Sequence, residues 1–367
     1  MSIFGRFSWI RGLAKVLARS AGIGTESLDP SVLETGDSEQ VVTLLQQDGL
    51  CLGINLTPDL RQEILEFAQT TTCYGNLDPD CGFLYAEKQE AERSADRTFF
   101  TAQYFNTSLD CPAIQRLSHD PKLLEIAGGY LRGEPKFTGS RLWWNFVVGD
   151  DQPYDSNKTI TFFHYDLDDY ACMRFFFYLT PVTALDGPHV CVRGSHRRKR
   201  WSYLLSPVKR RSDQEIIDYY QMENVVTICG EPGFGFAEDT FCYHKATRPR
   251  HQDRLMLQIQ FALHDYGLHH DRKQPNLLYR INDAQPDQNS SDRVSRTAAL
   301  LSFSDSRRQR CCSTAPGQSG CPTLAGPTSG LWRVSTPQGI FGAISDCARH
   351  SRYWSLFQDA RSSSSES

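Results

Sequence analysis

His164 and Asp166 stand two apart in TITFFHYDLDDY, and His244, eighty residues on, closes GFGFAEDTFCYH. Residues two apart on a strand point to one face, so this imidazole and carboxylate would converge on one point. His244 ends a second strand-like run and can complete the set. Two neutral imidazoles and one carboxylate on one face of a metal, with the opposite positions open, form the facial triad of non-haem Fe(II) oxygenases. The open positions there accept a bidentate cosubstrate and O2. An H-x-D pair alone arises by chance in many chains. What raises this one is Arg254, ten residues after His244 and opening RLMLQIQFAL. A planar, permanently charged guanidinium at the start of a strand can grip a carboxylate bidentately. The far carboxylate of 2-oxoglutarate needs such a grip while its keto-acid end chelates iron. Taken alone Arg254 reads better as a surface ion pair; joined to the other three it reads as an anchor.

Other residues carry weaker signals. Trp143, Trp144 and Asn145 lie on a strand preceding the H-x-D run, one face of which would line the pocket while the other packs in the core. Arg174 would touch cosubstrate or substrate if its side chain faces inward. His196, next to Ser195, reads as structural or at the pocket rim and not as a fourth ligand. His251, His264, His269 and His270 have no partner at ligand spacing and read as ordinary histidines.

The elements that must position these residues follow from periodicity. Residues 38–70 are helical and amphipathic, 75–97 read as an acidic loop region, and 120–133 form the clearest helix, with Asp120 as N-cap and Pro121 at its first position. Then come β-rich runs at 141–148, 159–166, 173–182, 189–193, 225–229, 233–238 and 255–263, most bounded by Gly, Pro, Asp or Asn. Helices followed by at least seven closely spaced strands predict a mainly β fold, a sandwich or barrel decorated by flanking helices.

The stretches 162–182, 187–200 and 230–263 resemble, in order and spacing, the phytanoyl-CoA dioxygenase family of Fe(II)/2-oxoglutarate oxygenases. The resemblance spans about residues 120–265 and extends more weakly to the helices from 38. It implies a double-stranded β-helix (jelly-roll, cupin-like) core, His164, Asp166 and His244 as iron ligands, and Arg254 as the 2-oxoglutarate anchor. It also implies an oxidoreductase that hydroxylates a small-molecule or acyl, lipid-like substrate with O2 while 2-oxoglutarate becomes succinate and CO2. Halogenating relatives replace the ligand carboxylate by a small residue, so Asp166 favours hydroxylation. The rival readings are a non-catalytic jelly-roll binding module and a cupin-like metalloenzyme that does not use 2-oxoglutarate. The full triad with Arg254 argues against the first, and Arg254, if its guanidinium points into the barrel, against the second.

Composition sets the frame. The 367 residues are 40% hydrophobic and 22% charged, enough for a sizeable core. No run of about 18 apolar residues occurs to make a membrane span. The twelve cysteines include no CxxC pair. They read as small buried hydrophobes in a reducing cytoplasm, not as a redox or zinc site. The formal net charge of −4 conceals a split: residues 1–25 and 291–367 are each +4, which leaves −12 for residues 26–290. The middle reads as one oxygenase domain and the C-terminal stretch as a disordered tail. The N-terminal segment is a basic amphipathic helix. Ile3, Phe7, Ile10, Leu13 and Leu17 share one face, with Arg11, Lys15 and Arg19 opposite. Residues 1–20 would suit peripheral contact with an anionic membrane or a transit peptide; the alternative is packing on the body. RRKR at 197–200, with Lys209, Arg210 and Arg211, is a second basic patch, suited to an anionic substrate group or a membrane, or simply solvated. No aromatic interleaving or groove-reading helix accompanies it, which argues against nucleic acid. Substrate identity and oligomeric state are not legible.

Overall fold

The computed structural model describes residues 3–17, 31–149, 159–267, 269 and 271–281. The tail at 291–367 and His270 lie outside the described residues. Helices dominate the first part: α1 (Ser8–Leu17), α2 (Ser38–Asp48), α3 (Pro58–Thr70), α4 (Lys88–Ala95), α5 (Thr107–Asp110), α6 (Pro112–Ser118) and α7 (Pro121–Leu131). Between and after them run the strands β1 (Leu33–Glu34), β2 (Leu50–Leu52), β3 (Asn55–Leu56), β4 (Cys73–Gly75), β5 (Gly82–Phe83), β6 (Thr101–Gln103) and β7 (Lys136–Asn145). The series ends with β8 (Cys172–Tyr178), β9 (His189–Val192), β10 (Val225–Ile228), β11 (Gly235–Glu238), β12 (His244–Lys245) and β13 (Arg254–Ala262). Two short helices, α8 (Trp201–Leu205) and α9 (Asp213–Tyr220), interrupt them between β9 and β10.

Eight strands form one sheet in the order β2-β11-β8-β13-β7-β6-β4-β5, and three form a smaller one, β10-β9-β12. Every ladder within them is antiparallel. The two sheets enclose a core of Phe176, Tyr178, Phe236 and Met256 from the large sheet with Cys191 and Ile228 from the small one. On the other side of the large sheet, Phe175, Phe177, Leu255, Leu257 and Ile259 pack with helix residues such as Leu45, Ile64 and Ile126. Alternation therefore explains why β8 is buried throughout, Arg174 included: one parity meets the helices and the other the interior. On the far side of the small sheet, Val190 and Val192 pack under Tyr203, Leu204, Ile216 and Tyr220 of α8 and α9. Two facing antiparallel sheets with helices outside are the expected mainly β jelly-roll core with flanking helices.

The clearest predicted helix forms as α7. The Asp120 side chain accepts hydrogen bonds from the backbone of Lys122 (2.8 Å) and Leu123 (3.1 Å), satisfying two amides that no helix turn reaches. Three local expectations fail. The stretch at 38–70, expected to be helical, is broken between α2 and α3 by β2 and β3. The acidic stretch at 75–97 contains α4, whose outward-facing charges made it resemble loop. In the run at 159–166, only Phe163 and His164 make bridges; the rest is irregular. Gly235 is required where β11 crosses the 53–55 segment, because a Cβ there would lie 2.2 Å from the Ile54 carbonyl oxygen. Of the eight described cysteines, seven are buried.

Candidate metal centre

His164 and His244 exchange both backbone hydrogen bonds, His164 N to His244 O at 3.0 Å and the reverse at 2.8 Å. A hydrogen-bonded antiparallel pair holds its two side chains side by side on one face. The rings accordingly meet edge to face, with centroids 4.3 Å apart. Asp166 follows at the same parity, its amide donating to Thr240 O at 2.8 Å. The result is a cluster in which one ligand atom from each of His164, Asp166 and His244 lies within 4.8 Å of the others. Nε2 of either histidine is 3.7 Å from a carboxylate oxygen of Asp166. Among the described residues this is the one group of three or more potential metal ligands.

Nδ1 of His164 lies 3.2 Å from the Phe162 carbonyl, and Nδ1 of His244 lies 3.0 Å from the Cys242 carbonyl. A proton on each Nδ1 satisfies those oxygens and turns both Nε2 lone pairs toward Asp166, the tautomer a metal needs. Burial, with His244 adding to it, pushes the His164 imidazole down to about 3. Burial alone would raise the Asp166 carboxyl, but Arg174 and the two histidines overcome it and hold the group well below the usual carboxylate range. The donor set is thus two imidazoles with Nε2 turned to the cluster and one carboxylate. It fits a divalent first-row metal.

Glu238 and His189 were not singled out from sequence. Glu238 is fully buried, 2.8 Å from Nε2 of His189 and 3.2 Å from Nδ1 of His244. Burial would raise its carboxyl; His189 and then His244 bring it down to about 2. In return Glu238 raises His244 against the opposing effect of burial. For His189 burial wins and the imidazole is lowered. The His189 and His244 rings stack at 5.4 Å. The available signal was parity: Phe236 and Glu238 share a face of β11, so an acid stood where an apolar residue was due.

Arg174 faces inward, but onto the ligand carboxylate. Its Nη1 donates to Asp166 Oδ2, its Nη2 to Asp168 Oδ2 (2.5 Å) and its Nε to Gln260 Oε1 (2.7 Å). The inward side chain is the condition set for a cosubstrate or substrate contact, and here it holds three oxygens of the chain itself. Arg254 is 1% exposed and points between the sheets, donating to the Gly187 carbonyl and to Asn145 Oδ1. Trp143 Nε1 donates to the same Asn145 oxygen at 2.9 Å, so Trp143, Asn145 and Arg254 form one interior group. Trp144 turns the other way, onto Tyr85 at 4.0 Å. Ser195 is a brace: its hydroxyl donates to Val192 O (2.7 Å) and accepts from the Tyr243 amide (2.8 Å) beside His244. His196 is buried, 3.5 Å from the Cys242 sulfur. His251, His264 and His269 each meet one carboxylate, Asp186, Asp169 and Asp265.

α1 joins this region from outside. Arg11 is buried, its Nη2 lying 3.1 Å from both carboxylate oxygens of Asp239 and its Nε 2.9 Å from Tyr170 O. Tyr130 donates to the same carboxylate at 2.5 Å. The expected outward, basic face of the helix is thus corrected at Arg11: a buried acid beside Glu238 draws it in.

No family model and no curated protein matches the sequence. Solved structures with a similar course include the epimerase SnoN in complex with Fe3+, alpha ketoglutarate and nogalamycin RO, at 12% identity and a TM-score of 0.45 over 69% of this chain and 93% of that one. EctD from S. alaskensis with bound Fe is similar at 14% identity and 0.41, over 71% and 87%. EvdO2 from Micromonospora carbonacea var. aurantiaca is similar at 14% and 0.42, over 63% and 93%.

Proposed function

We propose that this chain is an Fe(II)- and 2-oxoglutarate-dependent dioxygenase of the phytanoyl-CoA dioxygenase type, hydroxylating a small-molecule or lipid-like substrate. The observation that carries the reading is the convergence of His164, Asp166 and His244 within 4.8 Å, in a chain whose Arg254 is buried between the same two sheets. Ferrous iron with 2-oxoglutarate, when bound, supplies O2 activation coupled to decarboxylation to succinate and CO2. The residues do the rest. His164 and His244 present Nε2 lone pairs because their Nδ1 protons are committed to backbone carbonyls. Arg174 keeps Asp166 ionised and fixes which oxygen is left for the metal. Arg254, backed by Asn145 and Gly187, offers two parallel N–H donors to the far carboxylate of 2-oxoglutarate, and Trp143 covers that end of the pocket. The apolar walls of Phe176, Tyr178 and Met256 limit water. The inward Arg254 favours this reading over a metalloenzyme that does not use the keto acid, and the intact triad favours it over a binding module. Succinate formation from 2-oxoglutarate with Fe(II) and O2 tests it, followed by a substrate panel of acyl-CoA, free lipid and polar amines. Failure of 2-oxoglutarate to be consumed with any of them would overturn it.

A further inference from the structure

Two exposed tryptophan–leucine pairs adjoin outside the smaller sheet. Trp9 and Leu13 are one turn apart on α1, and Trp201 and Leu205 are one turn apart on α8, so each pair shares a helix face. They are 65%, 51%, 68% and 60% exposed, and Val208 beyond them is also exposed. The two segments are pinned together. The Phe7 ring lies 5.9 Å from that of Trp201, and the Arg6 guanidinium donates to the carbonyls of Leu204 (3.1 Å) and Ser206. Their inner faces are anchored, α1 through Arg11 to Asp239 and α8 through buried Tyr203 and Leu204. The exposed side chains are therefore held outward on fixed supports.

Charge says what they face. Residues 193–212 contain eight basic residues and no acid. Arg197, Arg198, Arg200 and Arg210 are exposed, and the next acid, Asp213, is paired with Lys245 at 2.6 Å. This is a local excess of positive charge on a stretch, residues 26–290, whose net charge is −12 with the patch included.

We propose that the face made by Trp9, Leu13, Trp201, Leu205 and Val208, ringed by those arginines, docks on an anionic bilayer. Tryptophan settles at the level of the headgroups, leucine reaches the acyl boundary, and arginine meets phosphate. A second copy would bring the same positive charge to the contact, and residues 291–367 are themselves +4. At its end the patch reaches the metal cluster: Arg210 lies 3.9 Å over Phe162, whose ring meets that of His164 at 5.8 Å. Docking would therefore set the segment bearing His164 beside lipid. The inference stands apart from the proposed chemistry.

Sedimentation of the full chain with phosphatidylcholine vesicles, with and without about one third phosphatidylserine, tests it. The expected result is binding to the anionic vesicles alone, weakening as salt rises. Trp201→Ser with Leu205→Ser lowers partition at least about tenfold. Arg197→Gln and Arg200→Gln lower it about fivefold each. All four residues are exposed and outside the His164–Asp166–His244 cluster, so succinate formation stays as in the wild type. No binding to the anionic vesicles at low salt, or binding undiminished in these variants, would overturn the proposal. So would a solution dimer that Trp201→Ser splits, since a second copy would then cover the face.

Discussion

His244 depends on a neighbour that no spacing rule indicated. Glu238 is buried between His189, which it meets at 2.8 Å, and His244, whose Nδ1 lies 3.2 Å from its other oxygen, so a negative charge stands behind the ring that offers Nε2 to the metal. Carboxylates behind ligating histidines raise ligand basicity and hold the ring's orientation. Glu238→Gln keeps the shape but removes the charge, and metal affinity, read by titration with Fe(II) or Co(II), should fall about 10–100-fold. Unchanged affinity would reduce Glu238 to a packing residue. Arg254→Lys tests the other end of the pocket. Lysine keeps the charge but loses the fork, so KM for 2-oxoglutarate should rise at least about tenfold while Fe(II) affinity holds. Equal KM values would place the anchor elsewhere. The triad was legible because H-x-D is a local, period-two pattern. Glu238 was not, since in sequence a buried acid and a solvated one look the same, and only the partner at position 189 tells them apart.

α1 shows the same limit at the scale of an element. Helical periodicity set Arg11 on the polar side, yet its partner Asp239 lies 228 residues away, beyond the reach of any local pattern. Removing one partner of a buried ion pair costs about 3–5 kcal/mol. For a body of this size each kcal/mol is worth about 2–4 °C in Tm. Arg11→Met should therefore lower Tm markedly and in the absence of any membrane. An unchanged Tm would mean the helix is a removable leader. β11 carries a second test. With Ile54 O only 2.2 Å from a Cβ at position 235, Gly235→Ala should destabilise by about 1–3 kcal/mol and loosen Glu238 with it. A denaturant midpoint equal to wild type would show that the 53–55 segment can yield. The long strands and α7 were readable because parity, caps and proline act within a few residues. α4 was not, because a short helix with charges facing water has little apolar stripe to reveal it.

Across the whole molecule, helices first and strands after were enough to foresee a sheet sandwich with its helices outside, because each long strand carries its own two-sided pattern. What the pattern lacked was the pairing order: β8 lies between β11 and β13, and β9 between β10 and β12, a nesting set by contacts far apart in sequence. That order sets residue 244 against β9, an isolated bridge then brings residue 164 beside it, and four scattered side chains become one proposed active site. The most direct test is succinate formation from 2-oxoglutarate by the full chain with Fe(II) and O2, measured beside His164→Ala at matched thermal stability. The account predicts metal-dependent succinate from the wild type and loss of it in the variant. Equal turnover by the two would contradict it.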